Sequence, residues 1–425
     1  MGTKTTSYRW PFFVVRRDKR LKKVISSINF FYIALYVVFC VLVPEIYCVM
    51  KKKMERAAKK FFLRFVSLLN KAEKISPEGL DSHSIRRVLV VKQHDQLGDM
   101  LLSVPAIRGI ARRFPSASVD VVASSVNFSV LRNNPFIRKI WTLRRGRGRR
   151  EGEGLLSLIK NLRKEHYDLA IVLNTVSFSV TSMVIAWLSG ARFKIGPSGK
   201  PFGYDFTGNF YNIELPLPDE SEVNLMHESE HNLYPLKEIG VREDLLTSVF
   251  VPSSMEEEAA GKLIEVISEN NSPVVVIHPS AGKLKNRWPV KKFARVANKL
   301  SEEYGAKIVA VFGPMDTDIV NEFLAECRNC PVVLNSPSIG FLGALIKKSS
   351  LTICNDTGVL HIAGAVGADT IAIFGPTDPA RWKPVNSSVI ALKADDGSVE
   401  FISVDEVMNV ARQVLNPLHG DKGNV

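Results

Sequence analysis

Short apolar runs alternate with longer segments of helical period through most of this 425-residue chain. The run Val88-Leu89-Val90-Val91 ends in a polar loop, Gln93 to Gly98, and a helical pattern follows from Asp99 to Phe114. Ser118–Ala123 and Ile140–Leu143 read as strands, Leu155–Glu165 as a helix and Leu169–Leu173 as another strand. Unbroken apolar runs of this kind suit parallel strands, which helices cover on both faces. Residues 214–235, rich in Pro, Glu and His, read as a connection. A second alternation opens at Val274-Val275-Val276-Ile277 and runs through helix Val290–Tyr304, strand Ile308–Phe312, helix Thr317–Cys327 and strand Val332–Leu334. Helix Ile339–Ser349, strand Leu351–Cys354, helix Gly358–Val366, strand Thr370–Phe374 and helix Ser403–Leu415 complete it. The pattern predicts an α/β protein with two doubly wound domains, residues 85–240 and 250–400, and a closing helix at 401–416. Ligands of such sheets bind beyond the carboxyl ends of the strands. The loops after Val91, Ile277, Phe312, Cys354 and Phe374 are therefore the ones to read for chemistry.

The first 75 residues have another character. From Val24 to Met50 the sole charged residue is Glu45. A helix over this stretch would be about 40 Å long, enough to cross a hydrocarbon core of about 30 Å. Lys and Arg cluster on both flanks, so charge asymmetry selects no orientation. The run is too long for a signal peptide and has no small-residue cleavage site. A transmembrane anchor, a re-entrant hairpin bent near Pro44 and Glu45, and a soluble packing helix stay open. Residues 54–74 then predict a basic amphipathic helix, with Phe61, Phe62, Phe65, Leu68 and Leu69 set against Lys and Arg. Such a helix is expected on an anionic membrane surface; a linker helix packed on the body is the alternative.

The net charge of +13 suggests a nucleic-acid partner until it is located. Residues 1–75 hold 17 of the 56 Lys and Arg but only 4 of the 43 Asp and Glu, which leaves the body electrically balanced. A basic nucleic-acid groove in the body is thereby disfavoured. Cys40, Cys48, Cys327, Cys330 and Cys354 are odd in number and scattered, which suits a reducing compartment. Cys327 and Cys330 form a lone C-x-x-C, short of the four ligands of a zinc site, so neither a metal nor a cofactor is expected.

Chemistry concentrates in the predicted loops. Asp99 opens a helix and reads either as a first-turn acid favoured by the helix dipole or as a functional carboxylate. The loop His278-Pro279-Ser280-Ala281-Gly282-Lys283-Leu284-Lys285-Asn286-Arg287-Trp288-Pro289 combines small residues with three cations. It suits a diphosphate, although a solvated basic loop would look similar. In Asn355-Asp356-Thr357-Gly358-Val359-Leu360-His361, helix amides and the Thr357 hydroxyl offer an anion site. Asp356 reads equally as a cap, and His361 as a core histidine. No G-x-G-x-x-G follows a strand and no P-loop occurs, which disfavours a dinucleotide-dependent oxidoreductase.

Taken in order, Leu97-Gly98-Asp99, Arg287-Trp288-Pro289, Asn355-Asp356-Thr357-Gly358 with His361, and Gly375-Pro376-Thr377-Asp378-Pro379 resemble glycosyltransferase family nine. That is the family of ADP-heptose:lipopolysaccharide heptosyltransferases. The resemblance covers about residues 86–416 and implies a GT-B fold, two Rossmann-like domains facing a cleft. It implies inverting, metal-independent transfer from a nucleotide-diphosphate sugar to a lipid-linked glycan acceptor at the cytoplasmic face of a bacterial inner membrane. Asp99 matches the family's general base; Ser280, Thr357 and Gly358 match donor-phosphate positions; Asp356 and His361 match the donor-side acid and histidine. The family commonly has Lys immediately before its [R/H]-W-P segment. Here Asn286 stands there, so Lys285 or Arg287 is expected to supply the charge. A non-catalytic sugar-nucleotide or glycan-binding scaffold is the competing function.

Overall fold

A computed structural model describes residues 60–420, apart from 62, 69, 94–95, 145–151, 269–270 and 330. By compactness the chain divides after Val66, and nearly all of the described fold lies in the second unit. The predicted apolar helix at 24–50 falls outside the described residues, as do the side chains of Phe62 and Leu69. Among the described residues no helix is long and apolar enough to cross a membrane. The predicted amphipathic helix is present at 60–68 but does not reach residue 74. Asn70 diverts the chain: its side chain donates to the Asn209 carbonyl at 2.8 Å and accepts from Trp187 Nε1 at 3.0 Å. Side-chain bonds of this kind compete with helix continuation. Residues 72–75 then run along 209–212, with Ala72 N–H donating to Asn209 O.

Two six-stranded parallel sheets follow. The first comprises β1 (Arg87–Val91), β2 (Ser118–Ser124), β3 (Lys139–Leu143), β4 (Leu169–Val172), β5 (Phe193–Pro197) and β6 (Ile213–Leu215), ordered β3-β2-β1-β4-β5-β6. The second comprises β7 (Val274–His278), β8 (Lys307–Phe312), β9 (Val332–Asn335), β10 (Leu351–Asn355), β11 (Thr370–Phe374) and β12 (Val389–Lys393), ordered β12-β11-β10-β7-β8-β9. Counted within each sheet, both orders are 3-2-1-4-5-6. Each sheet therefore has its topological switch between its first and fourth strands, β1/β4 and β7/β10. Strands β4, β7, β10 and β11 are buried at every position, as their unbroken apolar runs require.

Short helices pack on these sheets: α1 (Leu97–Leu101), α2 (Val104–Arg113), α3 (Leu155–Lys164), α4 (Val180–Leu188), α5 (Glu220–Leu225) and α6 (Glu228–Leu233). On the C-terminal half these are α7 (Ser254–Ile267), α8 (Val290–Tyr304), α9 (Thr317–Glu326), α10 (Ile339–Lys348), α11 (Gly358–Val366) and α12 (Val404–Gly420). The single helix expected over 99–114 is two, α1 and α2, because Pro105 has no N–H to donate back to Leu101. The expected connection at 214–235 holds α5 and α6. Each is opened by a capping box, Asp219 with Glu222 and His227 with Glu230, so their local signals were masked by the polar composition. Strands β5, β6 and β12 were not expected. Helix α12 packs on α8 through buried Val407, Met408, Ala411 and Leu415, keeping the chain end on the second sheet.

The two halves meet directly. Ion pairs and hydrogen bonds cross between them, Arg132 to Glu256 at 2.7 Å and Asn133 Nδ2 to the Val251 carbonyl at 3.0 Å. In the middle, α1 lies against α11.

Candidate active site

Beyond β1, α1 carries Gly98 and Asp99 into the seam between the halves. A Cβ placed on Gly98 would lie 2.5 Å from His361 Cδ2, and one on Gly358 would lie 3.6 Å from Leu97 Cβ. Segments some 260 residues apart in sequence thus touch, and at this point the seam is packed rather than open.

One residue past that contact, Asp99 lines a pocket with Lys92, Asn174, Thr175, Val176, Ser177 and Glu228. These residues come from the ends of β1 and β4 and from the first turn of α6, the switch point of the first sheet. The buried Lys92 ammonium donates to Asn232 Oδ1 at 2.9 Å. Burial pushes its pKa down to about 8, against the pull of Asp99 and Glu228. Both polar atoms of the buried Asn174 side chain lack a partner within the protein.

The switch point of the second sheet builds the other side. Asn355, at the end of β10, ties three loops together: its Nδ2 donates to the carbonyls of Pro279 and Ser280 at 3.0 and 3.2 Å, and its Oδ1 accepts from Trp288 N–H at 2.9 Å. Trp288 is fully buried, with Nε1 donating to Ile402 O at 2.9 Å, so the basic loop hangs on a rigid indole. Asp356 accepts from the Thr377 hydroxyl at 2.7 Å and from Asn286 Nδ2 at 3.3 Å. Burial raises its pKa, while the Thr377 bond and the Lys283 charge pull the other way. Asn286, the residue that departs from the family pattern, is thus a neutral partner of Asp356. Of the expected cations, Lys285 is exposed and Arg287 folds back to donate to Ala281 O at 2.8 Å. Lys283, not singled out from the sequence, is the cation whose charge reaches Asp356.

Ser280 Oγ, Thr357 Oγ1, His361 Nδ1 and Asn286 Oδ1 are buried without a partner in the protein. Thr357 stands at the N-cap of α11, yet its hydroxyl does not cap the helix. Buried polar groups are rarely left unpaired, and these four lie on the 278–289 loop and the start of α11, which Asn355 and Asp356 tie together. Burial lowers the His361 pKa to about 4, with a further push from His227, so the imidazole is neutral at pH 7.

Sequence reading singled out Asp99, Ser280, Lys285, Arg287, Asp356, Thr357, Gly358 and His361. It missed Lys92, Asn174 and Glu228, and gave Asn355, quoted within its motif, no role of its own. A lone cation ending an apolar strand could have exposed Lys92. Glu228 lies in His227-Glu228-Ser229-Glu230-His231, which has the H-E-x-x-H spacing of a helical zinc site. The structure gives these residues other duties. His227 caps α6 with Nδ1 accepting from Ser229 N–H at 3.1 Å, which leaves Nε2–H to donate to Lys383 O at 2.9 Å.

Residues 155–407 match the model of glycosyltransferase family 9 (heptosyltransferase). Lipopolysaccharide heptosyltransferase 3 of Escherichia coli is 30% identical over 308 residues, 70% of this chain and 86% of that protein. Among solved structures, a glycosyl transferase of family 9 from Veillonella parvula superposes with a TM-score of 0.69 at 20% identity, covering 80% of this chain and 99% of its own. The E. coli ADP-heptose lps heptosyltransferase II gives 0.65 at 19% identity over 79% of this chain and 100% of its own.

Proposed function

Because the chain belongs to glycosyltransferase family 9, the heptosyltransferase family, we propose that it transfers a heptose from an ADP-heptose-type donor to a lipopolysaccharide core or related cell-surface glycan. The observation that carries this reading is the pairing of two switch points across one seam. Asp99, Lys92 and an unpartnered Asn174 stand on one side; unpartnered Ser280, Thr357 and His361 stand on the other. In this reading the acceptor directs its attacking hydroxyl into the Asp99 pocket, where Asn174 bonds it. Asp99 takes the proton of the attacking hydroxyl. The donor diphosphate sits on the 279–287 loop and the start of α11, where Ser280, Thr357 and the amide of Gly358 bond its oxygens. Lys283, Lys285 and Arg287 offset the charge that grows on the departing diphosphate, without a metal ion. Attack from the Asp99 side and departure toward α11 invert the anomeric centre. The body works on the cytoplasmic side of the inner membrane, and the exposed Phe61, Phe65 and Leu68 support a membrane-facing role for the 60–68 helix.

The test is Asp99→Asn. Transfer should fall by at least about a thousandfold, a loss typical of removing a general base together with its positioning, while ADP binding by calorimetry stays near wild type. Near-wild-type turnover would remove the base role. Wild-type protein that binds ADP-heptose but neither transfers nor hydrolyses it would favour a binding scaffold. Loss of activity on chelation, restored by a divalent ion, would overturn metal independence.

A further inference from the structure

Glu228 occupies a position that the transfer chemistry by itself does not explain. It opens α6 on the acceptor half and is almost completely buried, yet two cations, Arg381 and Lys92, and the His231 imidazole converge on it. Arg381, from the turn after β11 on the other half, reaches its Oε2 at 3.2 Å. His231, one turn along α6, lies 3.4 Å from Oε1. Lys92, which lines the Asp99 pocket with it, acts on it through space. Burial alone would push the carboxyl up, and the three groups together outweigh that and hold it below the ordinary range. Asn232, also on α6, holds the Lys92 ammonium, and its Nδ2 is fixed on Glu228 O at 2.8 Å. Beside it, His227 clasps the Lys383 carbonyl of the same turn. One short helix therefore grips the donor half at 381–383 with one side and the Lys92–Asp99 pair with the other.

We propose that Glu228 is a positioning residue that reports the seating of the donor-half turn at 376–383 to Lys92, and through Lys92 to Asp99. The inference rests on the reading that Asp99 receives the acceptor proton. With Arg381 in place the Glu228 charge is shared, and Lys92 is left to serve Asp99. With the turn withdrawn, Glu228 turns its full charge on Lys92 and draws it away. Closure of the seam and readiness of the acceptor pocket are thus one event, which guards the donor against water until both halves are in place.

The decisive measurement is the rate of amine labelling at Lys92 in the full-length protein, followed by peptide mass spectrometry at a pH near 8. Glu228→Gln removes an attraction on the ammonium, so labelling should speed up about threefold, the result of half a unit in pKa. Arg381→Ala frees the Glu228 charge, so labelling should slow by about the same factor. A purely structural role would loosen the pocket and speed labelling in both variants. Shifts of the same sign, or none, overturn the proposal. Arg381→Lys should restore the wild-type rate, and its failure to do so in a folded protein counts against the charge pairing. In transfer assays the Glu228→Gln/Arg381→Ala double variant should lose no more kcat than the worse single variant, because the two residues act as a unit. Additive losses would also overturn it. Labelling needs no turnover, so an inactive wild-type protein would sink the transferase reading while these rates still judge the coupling.

Discussion

Gly98 and His361 come from opposite halves of the chain and touch, with no room between them for a methyl group. A glycine is needed here for close approach, since Gly98 lies at the second position of α1 and adopts no unusual backbone. Gly98→Ala is expected to force the halves apart or to turn the imidazole, at the 1–3 kcal/mol cost typical of overpacking. Because Asp99 is the next residue, kcat should fall at least about tenfold, the equivalent of about 1.4 kcal/mol in the barrier. Steady-state kinetics with a thermal melt check this. A variant as stable and as fast as wild type would show that the contact has no part in aligning the site.

This contact also marks where the sequence stops being informative. The apolar runs foretold both central strand pairs, β1/β4 and β7/β10, because strands buried on both faces leave an unbroken signature. Asp356 and Thr357 were legible because they follow β10 directly, and Asp99 because it lies in the first turn of the helix after β1. Edge strands β6 and β12 were missed: β6 is three residues long, and the apolar run of β12, Val389 to Leu392, was as readable as that of the edge strand β9, which was found. Helix α6 was hidden for a different reason. Its buried face is polar, with Glu228, His231 and Asn232 in place of leucines, so a search for apolar period passes over it. Its burial is tertiary, supplied by Lys92 and Arg381 from distant segments. The role of Asn286 was equally beyond reach, because only the folded loop shows it paired with Asp356.

The neutral His361 gives the fold an acid sensitivity. Its pKa in the folded protein is about 4, against an ordinary 6.5, so the unfolded chain binds a proton that the native state refuses throughout that window. Stability should therefore decline as pH falls from about 6.5 toward 4, by up to about 3 kcal/mol from this residue. His361→Asn removes the titrating group, and its stability curve from urea unfolding should be flatter than wild type over the same range. Parallel curves would mean that the imidazole titrates normally.

Thr357 and Ser280 separate stability from ligand binding. Their buried hydroxyls have no partner within the protein, so deleting them removes a desolvation cost rather than a bond. Thr357→Val and Ser280→Ala should leave the melting temperature of the free protein unchanged or slightly raised. If the hydroxyls meet the donor phosphates, ADP affinity should weaken about tenfold per substitution, in line with charge-assisted hydrogen bonds of about 1.5–3 kcal/mol. Destabilised protein with intact ADP affinity would assign these side chains to the scaffold.

The helix at 60–68 presents Phe61, Phe65 and Leu68 at 77%, 51% and 69% exposure, with Lys60 and Arg64 also exposed. Its Leu63 and Val66 are buried, so its apolar residues do not all serve one face. Burying the three exposed side chains in a bilayer interface would contribute about 5 kcal/mol. The two cations would add about 2 kcal/mol on an anionic surface. The apolar term is the larger, so membrane contact at this helix should weaken but persist when salt rises. An environment-sensitive fluorophore attached at a Phe65→Cys substitution in the full-length protein should shift to the blue on vesicles containing anionic lipid. At high salt the shift should shrink without vanishing. A probe that stays fully aqueous on such vesicles, or one released entirely by salt, would remove this helix from the membrane surface and leave attachment to other parts of the chain.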